Sequence, residues 1–471
     1  MLVAIQLVLC VRVLLRPRRD PTSRLAWIVV ILALPLVGII AYLALGETNI
    51  GHTRTARLRA VRGELPKFGD IPGTNVPPVV PQIPSTSRPV FSVGSFVGDF
   101  VPVGGNRATL MADSNASIRS LVRDVDAAED HVHILFYIWL PDHNGTLVAE
   151  ALMNAAGRGV ACRVLVDDIG SRDLIKSTLW AEMRAAGVQI FRALPVGNPI
   201  LRMLNGRIDL RNHRKLVVID NAITYCGSQN CADPEFLPKA KYAPWVDVMA
   251  RFEGPVVRQT QLLFARDWMA HVDDNIRSLL VAPMPAPDPG FTAVVVATGP
   301  TDPDSPMSDM FQTLMYCAQR TLVITTPYFV PNEAIQSALC AAARRGIDTT
   351  IIFPARNDDF AVAATSRSYY EALIRAGVKV FEFQPGLLHA KTVTVDEDIT
   401  LIGSSNIDRR SFDLNYENNI LSQDKAFTAD VKRRQKEFLA QSRPVKAEEV
   451  AAWGWKRRLW QNAVAILGPV L

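Results

Sequence analysis

Six fixed positions recur in register at two places along the chain. His213, Lys215 and Asp220 are followed by Gly227-Ser228-Gln229-Asn230, and His389, Lys391 and Asp396 by Gly403-Ser404-Ser405-Asn406. In both copies the Asp lies seven residues and the Asn seventeen residues after the His. A repeat with such constant spacing demands two copies of one structural unit, each presenting the same side chains. The 471 residues suffice for two such units and are too many for one small core.

The flanking sequence repeats as well. In the first half 131–139 reads as a strand, an alanine-rich stretch through 152–156 as a helix stopped by Gly157-Arg-Gly159, and 160–166 as a returning strand. In the second half 321–326, 334–345 and 349–353 repeat that order, with Gly346 as the stop. Gly187 and Gly377 then cap a further helix in each half before another strand. This order predicts two similar α/β halves with a largely parallel sheet and helices on its faces. The spacing differs at one place: His213 follows Gly187 by 26 residues, whereas His389 follows Gly377 by 12. The extra piece, 198–212, is expected as a loop over the site or as a surface insertion.

Alternation and β-branched residues make 387–395 a strand with His389 and Lys391 on one face, and His213 and Lys215 follow the same pattern. The odd offset of Asp220 and Asp396 puts them on the opposite face. They therefore belong to the repeated catalytic cassette as structural partners at the strand end, not as direct acids or bases. An imidazole beside an ammonium suits phosphoryl chemistry: the lysine neutralises non-bridging oxygens while the histidine attacks phosphorus or protonates a leaving oxygen. Two sets brought together supply both roles. Ser228, Asn230, Ser404 and Asn406 are the expected phosphate-binding groups. Each imidazole needs a carboxylate to hold its tautomer. Asp247, 34 residues after His213, and Glu417, 28 residues after His389, are the candidates. His131 and His133 share a strand face but have no lysine or tetrad at the same spacing, and are expected to be structural.

Hydrophobic residues make up 49% of the chain, and the excess is concentrated at its start. The run 25–46 is uncharged and long enough to span a bilayer, and 2–15 is interrupted only by Arg12. A transmembrane hairpin with a basic loop is therefore expected over 1–46. A signal peptide fits poorly, because no basic residue precedes the first run and Arg16-Pro-Arg-Arg19 stands where a cleavage site would lie. Arginines on both sides of the second run leave the orientation open. The Pro-, Gly- and Ser-rich composition of 69–105 makes 47–105 an expected extended connector, followed by halves at 106–285 and 286–445. At 446–471, Trp453, Trp460, Val464, Leu467 and Leu471 recur at helical spacing beside a basic cluster, the pattern of an amphipathic helix in a membrane interface. The net charge of +5, much of it beside the apolar runs, suits an anionic lipid surface better than a nucleic-acid groove. The six cysteines form no CxxC pair and no zinc-ligand set.

At the duplicated cassette the chain resembles the phospholipase D superfamily, whose signature is HxKxxxxD followed by GSxN in two copies per active site. The segments Asp209-Leu-Arg-Asn-His213, Gly227 to Glu235, Trp245-Val-Asp247, Thr326-Pro-Tyr-Phe-Val-Pro331, Gly386-Leu-Leu-His389 and Asn415-Tyr-Glu417 are similar to those of its bacterial cardiolipin synthases. The resemblance implies two phospholipase D-like halves forming one active site. It implies transfer of a phosphatidyl group between two phosphatidylglycerol molecules with release of glycerol, through a phosphatidyl-histidine and without metal or nucleotide cofactor. His213 would be the nucleophile, His389 the acid and base, and Glu417 an orienting group. The implied partners are phosphatidylglycerol and anionic membrane lipids, with no nucleic acid, and the implied location is a multi-pass one in the bacterial inner membrane. Another phosphatidyltransferase or a phospholipase D hydrolase would share the same cassettes.

Overall fold

The computed structural model describes all residues except 17–20, 48–49, 75, 198–206, 208, 303–305 and 467–471. Most of the loop expected at 198–212 therefore lies outside the described residues. A 15-stranded sheet runs through both halves. From one edge, the first half contributes Gln189–Ala193, Ala161–Asp167, His131–Phe136, Lys215–Ile219, Ile223–Gly227, Met249–Glu253 and Val103–Leu110. The second half repeats this order as Lys379–Phe383, Asp348–Pro354, Thr321–Thr325, Thr392–Val395, Ile399–Gly403, Glu417–Gln423 and Phe291–Thr298, with Ser442–Pro444 added at its outer edge. The halves meet where Val103–Leu110 runs antiparallel to Phe291–Thr298.

The sheet is mixed, which corrects the expectation of a largely parallel one. Only the outer three strands of each repeat are mutually parallel, and the rest pair antiparallel. Connection length is the cause. Helices such as His143–Gly157 and Glu333–Arg344 carry the chain back between parallel strands, whereas the turns at 220–222 and 396–398 are too short for a crossover. Those two helices begin on Asp142 and Asn332, whose side chains accept from the N–H of Gly145 and Ile335. One hydrophobic cluster includes Leu135, Leu216 and Phe252 from the first half and Val294, Leu322 and Ile351 from the second, so the halves share a core.

The repeated aspartates pin these turns. Asp220 and Asp396 adopt left-handed backbone at φ 49° and 51°. The Asp220 carboxylate accepts from the N–H groups of Glu129, Asp130 and His131 at 2.9, 2.9 and 2.8 Å. Asp396 accepts likewise from Gln319, Arg320 and Thr321 at 3.0, 2.7 and 3.0 Å. They fasten a hairpin turn to the start of His131–Phe136 and of Thr321–Thr325, away from the histidines. Replacing either by alanine is expected to lower unfolding free energy by about 2–3 kcal/mol, because three N–H groups lose a charged acceptor. Urea unfolding measures this, and the folded fraction should keep its turnover.

Three further expectations change. The region 47–105 is not an extended connector: it contains helices His52–Glu64 and Arg88–Gly98, and the sheet already begins at Val103. Gly94 and Gly98 let the second of these helices lie close on the strand Phe291–Thr298, where a Cβ at Gly98 would collide with the Val295 carbonyl. The single run expected over 25–46 is two helices, Pro21–Ala33 and Pro35–Leu45, because Pro35 starts a new helix after the non-helical Leu34. With Leu2–Leu15 they bury Val13, Ile31 and Tyr42 among themselves and leave most other apolar side chains outward. Among the described residues no helix is long and apolar enough to cross a membrane. Finally, the terminal helix spans Trp455–Ala465, so Trp453 precedes it and packs on Tyr370, Val464 turns inward, and Leu467 and Leu471 lie outside the described residues.

His131 and His133 are buried below the sheet. His133 Nδ1 lies 3.0 Å from Gln261 Oε1, its ring stacks on Phe264, and burial pulls its pKa well below the ordinary histidine value.

Candidate active site

The strand expected over 387–395 is interrupted at the histidine. Leu387–Leu388 pairs in parallel with Trp245–Val246 of the other half, and Thr392–Val395 then rejoins its own sheet. In the first half Asn212 bridges to Tyr416 before Lys215–Ile219 resumes. Each histidine thus sits where the chain returns from the opposite half. The His213 N–H donates to the Tyr416 carbonyl at 2.9 Å, and the His389 N–H to the Val246 carbonyl at 2.8 Å.

That crossing brings the carboxylates with it, since Glu417 follows Tyr416 and Asp247 follows Val246. His213 Nδ1 lies 3.0 Å from both Glu417 oxygens, and His389 Nδ1 lies 2.7 Å from Asp247 Oδ1. Glu417 and Asp247 each contact an imidazole, but exchanged: the acid following each histidine in the chain contacts the histidine of the other half. A carboxylate on Nδ1–H leaves the Nε2 lone pair free for reaction.

The serines of the tetrads do a different job from the one expected. Ser228 Oγ donates to Asp247 Oδ1 at 2.6 Å and accepts from the Val248 N–H at 3.0 Å. Ser404 Oγ donates to Glu417 and accepts from the Asn418 N–H at 2.9 Å. Both hydroxyls are fully buried, so they hold the orienting carboxylates. The asparagines differ. Asn230 accepts from the Ile138 N–H through Oδ1, and the Nδ2 groups of Asn230 and Asn406 donate to nothing among the described residues. Lys215 Nζ and Lys391 Nζ donate to the carbonyls of His213 and His389 at 2.8 and 2.7 Å, which uses one of three donors on each.

Aromatic rings wall both sides. Tyr137 meets His213 edge-on at 4.9 Å, with Lys215 Nζ 5.4 Å from its ring centre. Trp245 lies 4.8 Å from His389, and Tyr328 lies 6.5 Å away with its hydroxyl donating to Asp358. The two tyrosines were not singled out as site residues from sequence, although they stand just beyond His131–Phe136 and Thr321–Thr325, where aligning the repeats would have found them. Arg214 was also missed. It donates to both Asp267 oxygens and to the carbonyls of Glu417 and Thr298, tying the first cassette to the second half. Its counterpart in the other copy is Ala390, so the repeat gives no signal for it.

Residues 121–268 and 312–439 match the family model described as cardiolipin synthase, phospholipase D-like domain, and residues 4–47 match the phospholipase D-nuclease N-terminal model. Cardiolipin synthase A of Shigella boydii serotype 4 (strain Sb227) is 38% identical over 462 residues, covering 96% of this chain and 92% of that protein. Cardiolipin synthase A of Yersinia pseudotuberculosis serotype O:1b (strain IP 31758) is 38% identical over 464 residues with the same coverage. The chain belongs to the phospholipase D-like cardiolipin synthase family. It is an enzyme of the phosphatidyltransferase class. The crystal structure of phosphatidylserine synthase from Haemophilus influenzae Rd KW20 covers 81% of this chain and 100% of its own at a TM-score of 0.60 and 13% identity, a likeness of fold.

In this member of the cardiolipin synthase family the histidines, lysines and paired carboxylates of the two cassettes are all buried. Burial pulls His213 down to about 4, opposed by Glu417 and helped by Lys215 and Lys391. His389 is lowered by burial and by Lys391 and Lys215, against Asp247. Each imidazole thus feels the lysine of the other cassette, and both are neutral near pH 7. Burial also pulls Lys215 to about 7 and Lys391 to about 8, against the two carboxylates. Burial alone would raise Glu417 and Asp247, yet the adjacent histidines, lysines and serines hold both below the ordinary carboxylate range.

These values predict how anion binding depends on pH. A bound phosphate favours the protonated lysines and raises their pKa, so affinity is full below the free-enzyme values and is lost as pH rises through them. Calorimetric titration with a short-chain phosphatidylglycerol should show affinity falling roughly tenfold or more between about pH 6 and about pH 9. A flat profile would mean that the lysines keep their protons in the empty site.

Proposed function

We propose that the enzyme is a cardiolipin synthase, joining two phosphatidylglycerol molecules and releasing glycerol through a phosphatidyl-histidine. The observation that carries this reading is the exchanged pair of carboxylate–imidazole contacts, which presents two neutral imidazoles with free Nε2 atoms to one lysine-lined centre. His213 Nε2 attacks phosphorus and the bond to the glycerol oxygen breaks. His389 takes up a solvent proton on Nε2 as the anionic phosphate binds, and gives that proton to the departing oxygen. It then takes the proton of the incoming glycerol hydroxyl, whose oxygen displaces His213 from phosphorus. The balance is one P–N bond formed and broken, and one P–O bond exchanged for another. Lys215 and Lys391 neutralise the non-bridging oxygens, and the Asn230 and Asn406 amides donate to them.

The same reading places the three amino-terminal helices in the membrane, with Pro35–Leu45 folded back along Pro21–Ala33 so that the rings of Trp27 and Tyr42 meet at 5.4 Å. Their outward apolar faces and the match to the amino-terminal family model support this. Glu47 closes this three-helix bundle, accepting from the Tyr42 hydroxyl and pairing with Arg12 and Arg16. Lipids would then be the substrates at both ends of the reaction, and the site would work at the surface of a bacterial inner membrane.

Incubating the detergent-solubilised enzyme with phosphatidylglycerol labelled in its terminal glycerol tests the reading. Cardiolipin and free labelled glycerol in equal amounts are expected. Phosphatidic acid as the main product would make water the acceptor and the enzyme a phospholipase D.

A further inference from the structure

The helix Trp455–Ala465 is turned inside out relative to an ordinary surface helix. Its inner face seats Val464 against Ala361 and Ala364 of the helix Phe360–Ser368, and also buries the polar Gln461. Trp455, Leu459 and Ala463 stand at i, i+4 and i+8 on the opposite face, and Ile466 continues that line. Trp455, Leu459, Trp460 and Ile466 are 69%, 61%, 55% and 74% exposed. The inner face already braces the body, so the outer apolar side chains have no packing role.

Two more bare side chains lie on the same side of the site. Phe360, which opens the helix under Val464, is 74% exposed, and Leu237 is 73% exposed. Lys239 pairs with Asp358, which places the turn Leu237–Tyr242 beside the start of that helix. Asp358 in turn accepts from Tyr328, the ring beside His389. These apolar groups therefore border the mouth of the site on the His389 side. Basic side chains outnumber acidic ones around them, although Lys239 is paired with Asp358 and Arg458 lies 3.8 Å from Glu371. The terminal helix carries Lys456, Arg457 and Arg458 and no acid, and the turn carries Lys239 and Lys241.

We propose that this rim is a second lipid-contact surface, separate from the amino-terminal helices, which sits in the headgroup layer of an anionic bilayer and presses the His389 side of the site against it. The proposal rests on the reading above that the substrates are membrane phospholipids. Eleven residues of helix span about 16 Å, too short to cross the hydrocarbon, so the helix lies in the plane of the interface. Tryptophan and leucine facing the acyl boundary with lysine and arginine alongside is the composition such a position favours.

The test uses the full chain reconstituted in phosphatidylglycerol vesicles whose acyl chains carry bromine, which quenches tryptophan at close range. In the variant carrying Trp455→Phe and Trp460→Phe, the bromine-quenched share of the emission should fall. An unchanged quenched share would mean that both rings face water, and would overturn the proposal. Because quenching needs no turnover, it reads the surface even if the product proves not to be cardiolipin. A second variant, Leu459→Glu, is assayed on vesicles and on dihexanoyl phosphatidylglycerol dissolved as monomers. Vesicle turnover is expected to fall roughly tenfold relative to turnover of the dissolved lipid. Equal loss on both substrates, or no loss on either, would make the helix a brace alone.

Discussion

Alanine at His213 or at His389 is expected to lower transfer by about four orders of magnitude or more, because water replaces neither a held nucleophile nor a held acid. The two losses differ in kind. Protein carrying His389→Ala keeps the His213 nucleophile and, given phosphatidylglycerol radiolabelled in its phosphate and a rapid quench in detergent at neutral pH, should retain label on the polypeptide. Protein carrying His213→Ala should retain none. The opposite pattern would exchange the two roles, and near-normal transfer by either variant would end the two-histidine mechanism.

Substitution of the orienting acids should cost about three orders of magnitude each, by releasing the imidazole tautomer. Glu417→Gln acts on His213, whose Nδ1 it contacts, and Asp247→Asn acts on His389. A phosphatidyl ester of p-nitrophenol separates them, since that leaving group departs without a proton. Release of nitrophenol should be largely restored in Asp247→Asn and remain slow in Glu417→Gln. If pairing followed chain order, with Asp247 on His213, the restored variant would be Glu417→Gln.

The duplicated cassette was legible because its six positions recur at fixed spacing, and His213 and His389 each feel both Lys215 and Lys391 in the structure. The exchange of Glu417 and Asp247 was not, since distance along a chain carries no information about which half a segment pairs with. The serines misled for a related reason: a hydroxyl can donate and accept at once, and nothing in Gly-Ser-x-Asn says that Ser228 spends both capacities on Asp247 and a backbone N–H. The antiparallel strands could have been read from the three-residue turns at 220–222 and 396–398. The helix Arg88–Gly98 was hidden because the glycines that let it touch the sheet look, in sequence, like those of a loop. Asp220 and Asp396 were read as structural from an odd offset along an unbroken strand, whereas they lie in left-handed turns past strands that are interrupted at the histidines.

The crossing at His213 and His389 has a bearing on biosynthesis. A ribosome that has released only the first half has made His213 and Lys215, but not Glu417 or the Tyr416 carbonyl that holds the His213 backbone. The emerging polypeptide then carries no oriented imidazole while it is already close to the bilayer that holds its substrate. On the proposed mechanism, reactivity is expected only once the strand Glu417–Gln423 has docked, so a translation product truncated before it is expected to be inert toward lipid. Two separately expressed halves should likewise be silent apart and active when mixed, which makes turnover itself a reporter of their association.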